Sequence, residues 1–153
     1  YTFLSEALLG QGKLTEASEA AERALKLAEE SENELYIGGA WSLLGRVASA
    51  LRNQPCQVEA ETTGAARPSH EAGGKAPPDP ASCFAKSLEI FRKIEAKGEV
   101  ARTLRAWAES DLLDRRPAEA KVGLLEALHI FERLNAVPEV ERTQALLNGR
   151  AQG

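Results

Sequence analysis

Methionine is absent from this sequence, and cysteine and histidine occur only twice each in 153 residues. The two thiols, Cys56 and Cys83, are too sparse for a disulfide framework, which points to a reducing compartment and so to a cytoplasmic protein. With His70 they form the one conceivable zinc set, but the three lack the paired spacing of zinc ligands, so no metal site and no cofactor are expected. Also missing is any apolar run of about 18 residues, or a charged start leading into an apolar stretch, which leaves no membrane span and no signal peptide. A net charge of -4, with both signs mixed along the chain, lacks the basic footprint that nucleic acid or an anionic membrane would require. Aromatic residues make up only 5%, while runs rich in Ala, Leu, Glu and Arg favour helix. The expected class is all α. Because the sequence opens at Tyr1 inside a helical pattern and contains no methionine, it reads as a piece of a longer protein.

Catalytic chemistry finds too few parts. His129 lies beside Leu128 in a helical stretch with no cysteine near it, so a nucleophilic triad cannot be assembled. The GQGK stretch at 10–13 fails as a phosphate loop, because Leu14 stands where Ser or Thr is needed and Ala7 where the leading glycine would be. The carboxylates alternate with basic residues as on solvated helix faces. The chain is not expected to be an enzyme.

What is present is helical periodicity, interrupted at regular places. Phe3, Leu4, Ala7 and Leu8 share one face over 1–10, and the small residues Ala17, Ala21, Ala24 and Ala28 share another, with Leu25, over 14–30. Together these make an antiparallel hairpin. Ser31 and Glu34 are spaced as a capping box, predicting a third helix from there to about Arg52 with Trp41, Leu44, Ala48 and Leu51 inward. Residues 53–80 are rich in Gly, Pro, Ala and Ser and hold one branched aliphatic, Val58, so a mobile loop is expected there. Asp79-Pro80 restarts the helix as an N-cap and first-turn proline. That helix presents Phe84, Leu88, Phe91 and Ile94, and Lys97-Gly98 is read as its end. A fifth helix over 99–114 carries Val100, Leu104, Trp107, Ala108 and Leu112 on one face. In the sixth, from Pro117, small and large residues alternate through Ala120, Leu124, Ala127, Leu128 and Phe131. Val137-Pro138 opens a last, less apolar helix.

These faces cannot be buried singly, and they repeat. Ala24-Leu25 aligns with Ser87-Leu88 and with Ala127-Leu128, at steps of 63 and 40 residues, and Trp41 to Leu104 repeats the step of 63. The difference of about 23 residues accounts for most of the Gly/Pro-rich stretch. Trp41-x2-Leu44-Gly45-x2-Ala48 resembles the first-helix signature of the tetratricopeptide repeat family, and Gly12, Ala17 and Ala24-Leu25 resemble its turn and second helix. In the third copy Leu104, Trp107 and Ala108 take the first-helix places, and Ala120, Leu124, Ala127 and Leu128 the second. The period is about 40 where 34 is usual, Arg115 replaces the turn glycine, and Pro80 replaces an alanine.

The resemblance implies one domain of stacked antiparallel hairpins forming a right-handed superhelix. Repeat 1 would cover about 1–32, repeat 2 about 33–97 with the insertion at 53–80, and repeat 3 about 98–136, with a capping helix at 138–148. It also implies a protein-interaction module of a larger, regulatory or signalling protein of the bacterial long-repeat kind, holding a protein or peptide in a groove lined by first helices. In the family's register the groove positions are Glu6, Ser42, Arg46, Arg102, Arg105 and Glu109. Arg46, Arg102 and Arg105 could hold a carboxylate bidentately, or be solvated or paired with neighbouring glutamates. Some members clamp a chaperone's C-terminal carboxylates using asparagine at places that here hold Glu6 and Arg46, so that activity is not expected. The alternative is a structural spacer or self-associating segment, with Phe3, Leu4 and Leu8 as an unsatisfied apolar face.

Overall fold

A computed structural model describes residues 1–54 and 78–149 and is helical throughout, with no strand among those residues. The helices are α1 (Thr2–Gly10), α2 (Leu14–Glu30), α3 (Glu34–Arg52), α4 (Pro80–Lys93), α5 (Lys97–Leu113), α6 (Pro117–Arg133) and α7 (Val137–Gly149). Each packs on its successor in the chain, and α3 also touches α1 and α5. The expected loop at 53–80 falls mostly outside the described residues.

Tight turns set the helix ends. A single residue in the left-handed region reverses the chain at Gly12, Glu32, Glu95, Arg115 and Asn135. After four helices the amide that follows this left-handed residue reaches back to a carbonyl of the last turn: Lys13 to Leu8 (2.9 Å), Ala96 to Phe91 (2.9 Å), Arg116 to Asp111 (2.7 Å) and Ala136 to Phe131 (3.0 Å). The corresponding carbonyl of α2, at Ala28, accepts the Ser31 hydroxyl at 2.8 Å. The capping box expected at Ser31 is not formed. Ser31 closes α2, and Asn33 caps α3 by accepting from the Leu35 and Tyr36 amides. The end expected at Lys97-Gly98 is also displaced, since α4 stops at Lys93 and both residues lie in the first turn of α5. Asp79 and Pro80 do open α4, with the Asp79 carboxylate accepting from the Ser82 amide at 3.1 Å.

Small residues let the helices approach. All five buried residues of α2 are alanines, so α1 and α3 close directly onto its backbone. In α3, Gly38 and Gly45 sit against the rings of Phe91 and Phe84 in antiparallel α4; a Cβ there would come within 2.7 Å and 2.9 Å of ring carbons. Both rings are buried. Ser87, between them on α4, donates to the Gly38 carbonyl at 2.8 Å and lies 3.4 Å from the Thr103 hydroxyl of α5. With its proton committed to Gly38, Ser87 accepts from Thr103. The α1 face departs from expectation: Ser5 and Leu8 are its buried residues, and the Ser5 hydroxyl donates to the Ala17 carbonyl of α2 at 2.7 Å. Phe3, Leu4 and Ala7 point to solvent, Phe3 at 86% exposure. Leu8 therefore does not belong to any unsatisfied apolar face.

Gly38→Ala or Gly45→Ala should lower stability by about 1–3 kcal/mol through the ring clash, exceeding the gain of about 1 kcal/mol that alanine brings to a helix interior. Glu95→Gly should act oppositely and stabilise by about 1 kcal/mol, by removing a left-handed non-glycine residue. Urea denaturation of the three variants checks this; unchanged or raised midpoints for both glycine variants would refute the packing account.

Candidate functional site

The odd-numbered helices wall a cleft of about 410 Å³, and Glu6, Ser42, Arg46, Arg102, Arg105 and Glu109 all line it. Glu6 comes from α1, Ser42 and Arg46 from α3, and the other three from α5. Those of α3 and α5 are placed by the opposite face of their own helix: Leu44, Val47 and Ala48 bury one side of α3, and Val100, Leu104 and Ala108 one side of α5. Glu99 of α5 and Glu139 and Arg142 of α7 complete the charged lining.

Four arginines meet four glutamates there, and each arginine already holds a carboxylate of this chain. Arg46 bonds Glu6 at 3.0 Å and Arg102 bonds Glu99 at 2.7 Å. Arg105 bonds Glu139, and Arg142 stands 3.9 Å from that same carboxylate. Arg105 is the least exposed, and its guanidinium also lies 5.4 Å from the centre of the Phe131 ring. Burial opposes the charge on Glu139, but the hydrogen bond and charge of Arg105 prevail and hold its carboxyl below the usual range. Glu109 has only the Arg105 Nε at 4.0 Å. The carboxyl is about half exposed, and the part of its hydration lost in the cleft pushes it above the usual range, against the pull of Arg105 and Arg46.

A second charged cluster ties the far ends of α3 and α5. Asp114 accepts from Arg52 at 2.6 Å, from Asn53 at 3.2 Å and from Arg116 at 3.1 Å. Burial works against this carboxylate, yet those hydrogen bonds and the two guanidinium charges hold it below the ordinary range. Arg52 also stands 3.6 Å from the Asp79 cap. The cluster therefore fastens α4's start to the α5–α6 turn.

Of the zinc set weighed from sequence, Cys83 alone lies among the described residues. Cys83 is buried in the core beside Leu43 and Val47, and burial pushes its thiol up to about 11; Cys56 and His70 lie outside the described residues. No group of three His, Cys, Asp or Glu side chains is placed to hold a metal among the described residues, and none of their helices is long and apolar enough to cross a membrane. Sequence reasoning missed Glu99 and, on α7, Glu139 and Arg142. A signal was available, because the 40-residue step carries Glu99 onto Glu139, Arg102 onto Arg142 and Thr103 onto Thr143. No family model, curated protein or solved structure matches the chain.

The two carboxylates have opposite consequences for pH. Asp114, depressed in the fold, contributes stability above its unfolded pKa and loses it as pH falls through the folded value. Asp114→Asn should then cost about 1–3 kcal/mol at neutral pH, the gap closing on acidification. Glu109, raised in the fold, contributes at low pH and loses that contribution as pH rises through its folded value. Glu109→Gln should melt higher than the parent at neutral pH and converge with it in acid. Thermal melts across that range check both; parallel pH profiles for parent and variants would count against the assignments.

Proposed function

We propose that the chain is a protein-interaction module, a tetratricopeptide-like helical-repeat segment that holds an extended peptide in the cleft between α1, α3, α5 and α7. The observation that carries this reading is convergence. Six residues chosen from the repeat register, on three helices, line one cavity. That cavity is large enough for several peptide side chains, and cavities of about 300–1,000 Å³ are the usual size of ligand sites. Its charges are paired within the chain, so recognition would proceed by exchange of ion pairs at its rim and by hydrogen bonds to a peptide backbone from Ser42 and the exposed arginines. On this reading the chain serves a larger regulatory or signalling protein in the cytoplasm, binds no cofactor and performs no catalysis.

The second reading is a structural spacer or self-associating segment, favoured by the exposure of Phe3 and Leu4 on α1. Sedimentation across a concentration series separates the two, since self-association through that face requires a mass that rises with concentration and falls back in Phe3→Ser.

Ser42→Arg tests the cleft without breaking an existing ion pair. Peptides selected on the parent chain from a random displayed library should lose at least about tenfold in affinity for this variant. Peptides that bind parent and variant equally would place recognition elsewhere.

A further inference from the structure

A separate groove lies between α5 and α6 and shares no lining residue with the cleft. Its volume is about 330 Å³. Leu104, Trp107 and Val122 supply apolar lining, Asp111, Glu119 and Glu126 supply carboxylates, and none of its lining residues is basic. Val122 is 67% exposed, and Leu125 beside it on α6 is 48% exposed, so apolar surface continues outside the groove. The carboxylates are only partly neutralised. Arg92 of α4 reaches Glu126 at 3.2 Å and Arg116 stands 4.0 Å from Asp111, while Glu119 makes no ion pair among the described residues.

The chain contains an internal precedent for what such a surface receives. Trp41, one hairpin earlier on α3, carries the Lys86 ammonium 4.0 Å above its ring, an attraction of cation to π-face that is strengthened where water is partly excluded. Trp107 has one neighbouring ring, Phe84, at 6.0 Å in a stacked arrangement, and its groove holds carboxylates where Trp41 has a lysine. A lysine or arginine arriving from outside would lay its aliphatic stem on Leu104 and Val122 and its charge among the carboxylates.

We propose that the α5–α6 groove is a second interaction surface, which takes a basic amphipathic segment of a partner protein by seating a lysine or arginine side chain beside Trp107 between Glu119 and Glu126. Charge complementarity selects this occupant. An acidic segment would meet three carboxylates, and a purely apolar one would bury them without a counter-charge.

The test is an NMR titration of the full chain with two capped hexapeptides, Ac-AKLLKA-NH2 and Ac-AELLEA-NH2. The lysine peptide should shift the Trp107 indole N–H and the Val122 and Gly123 amides saturably in the millimolar range, and the glutamate peptide should leave them in place. In Glu119→Lys, an exposed substitution whose folding is checked by circular dichroism, the lysine peptide should weaken by about tenfold as an attraction becomes a repulsion. The glutamate peptide should gain in the same variant. Equal shifts from both peptides, shifts centred on Arg46 and Arg102, silence at Trp107 throughout the titration, or an unchanged preference in Glu119→Lys would each overturn the proposal.

Discussion

Two phenylalanine rings pressed into two glycines set the geometry on which the remaining helices depend. Gly38 and Gly45 are separated by two helical turns, as are Phe84 and Phe91, so antiparallel α3 and α4 interlock at both points in one register. A shift by one turn would drive a ring into Trp41 or Ala48, positions that carry side chains of their own. The consequences reach α5 directly. Phe84 stacks on Trp107, and Ser87, between the rings, links the Gly38 carbonyl to Thr103. The separation of α3 and α5, and hence of Ser42 and Arg46 from Arg102, Arg105 and Glu109, is therefore set from behind by α4. The walls of the cleft are positioned by residues that do not themselves carry its charges.

Much of this was legible as periodicity. The alanine face of α2, the inward phenylalanines of α4 and the alternation of small and large residues in α6 are buried as their spacing requires. What spacing could not supply was the chemistry of the turns. A reader looking for glycine at a helix end puts the α4 boundary at Gly98, but Glu95 takes the left-handed conformation because two backbone hydrogen bonds and the packing of both helices hold it there. Ser31 and Glu34 match a capping box in spacing, and the match fails because Ser31 still closes α2, its hydroxyl donating to Ala28, while Asn33 stands at the N-cap of α3. On α1 the large apolar residues suggested one face, while a buried serine with a backbone acceptor on α2 defined another. A polar residue that completes a cross-helix hydrogen bond is invisible to a hydrophobic pattern.

The candidate cleft was legible to a similar depth. The register expected from the sequence put six residues on one side of the odd-numbered helices, and all six line one cavity. It does not say which charges pair, because pairing depends on lateral separations between helices that the spacing along a chain leaves open. Arg46 lies between glutamates on two neighbouring helices, Glu6 and Glu109, and bonds the first. Glu139 and Arg142 were passed over because α7 is weakly apolar and looked like a cap, although the charges on its other face repeat those of α5.

The pairing divides the cleft into parts of different compliance. Arg46–Glu6 and Arg102–Glu99 are 37–56% exposed, and ion pairs in such surroundings contribute at most about 1 kcal/mol. A ligand carboxylate or ammonium can exchange into them at little cost. Arg105 and Glu139 are far less exposed, at 14% and 18%, and Arg105 is further held against Phe131, so removing either partner would strand a poorly hydrated charge. This pair joins α5 to α7 and behaves as part of the frame. On the proposed reading, recognition in the cleft would be decided at its α1–α3 side and along Arg102, where charges can change partners, while the α5–α7 side holds the shape against which they do so.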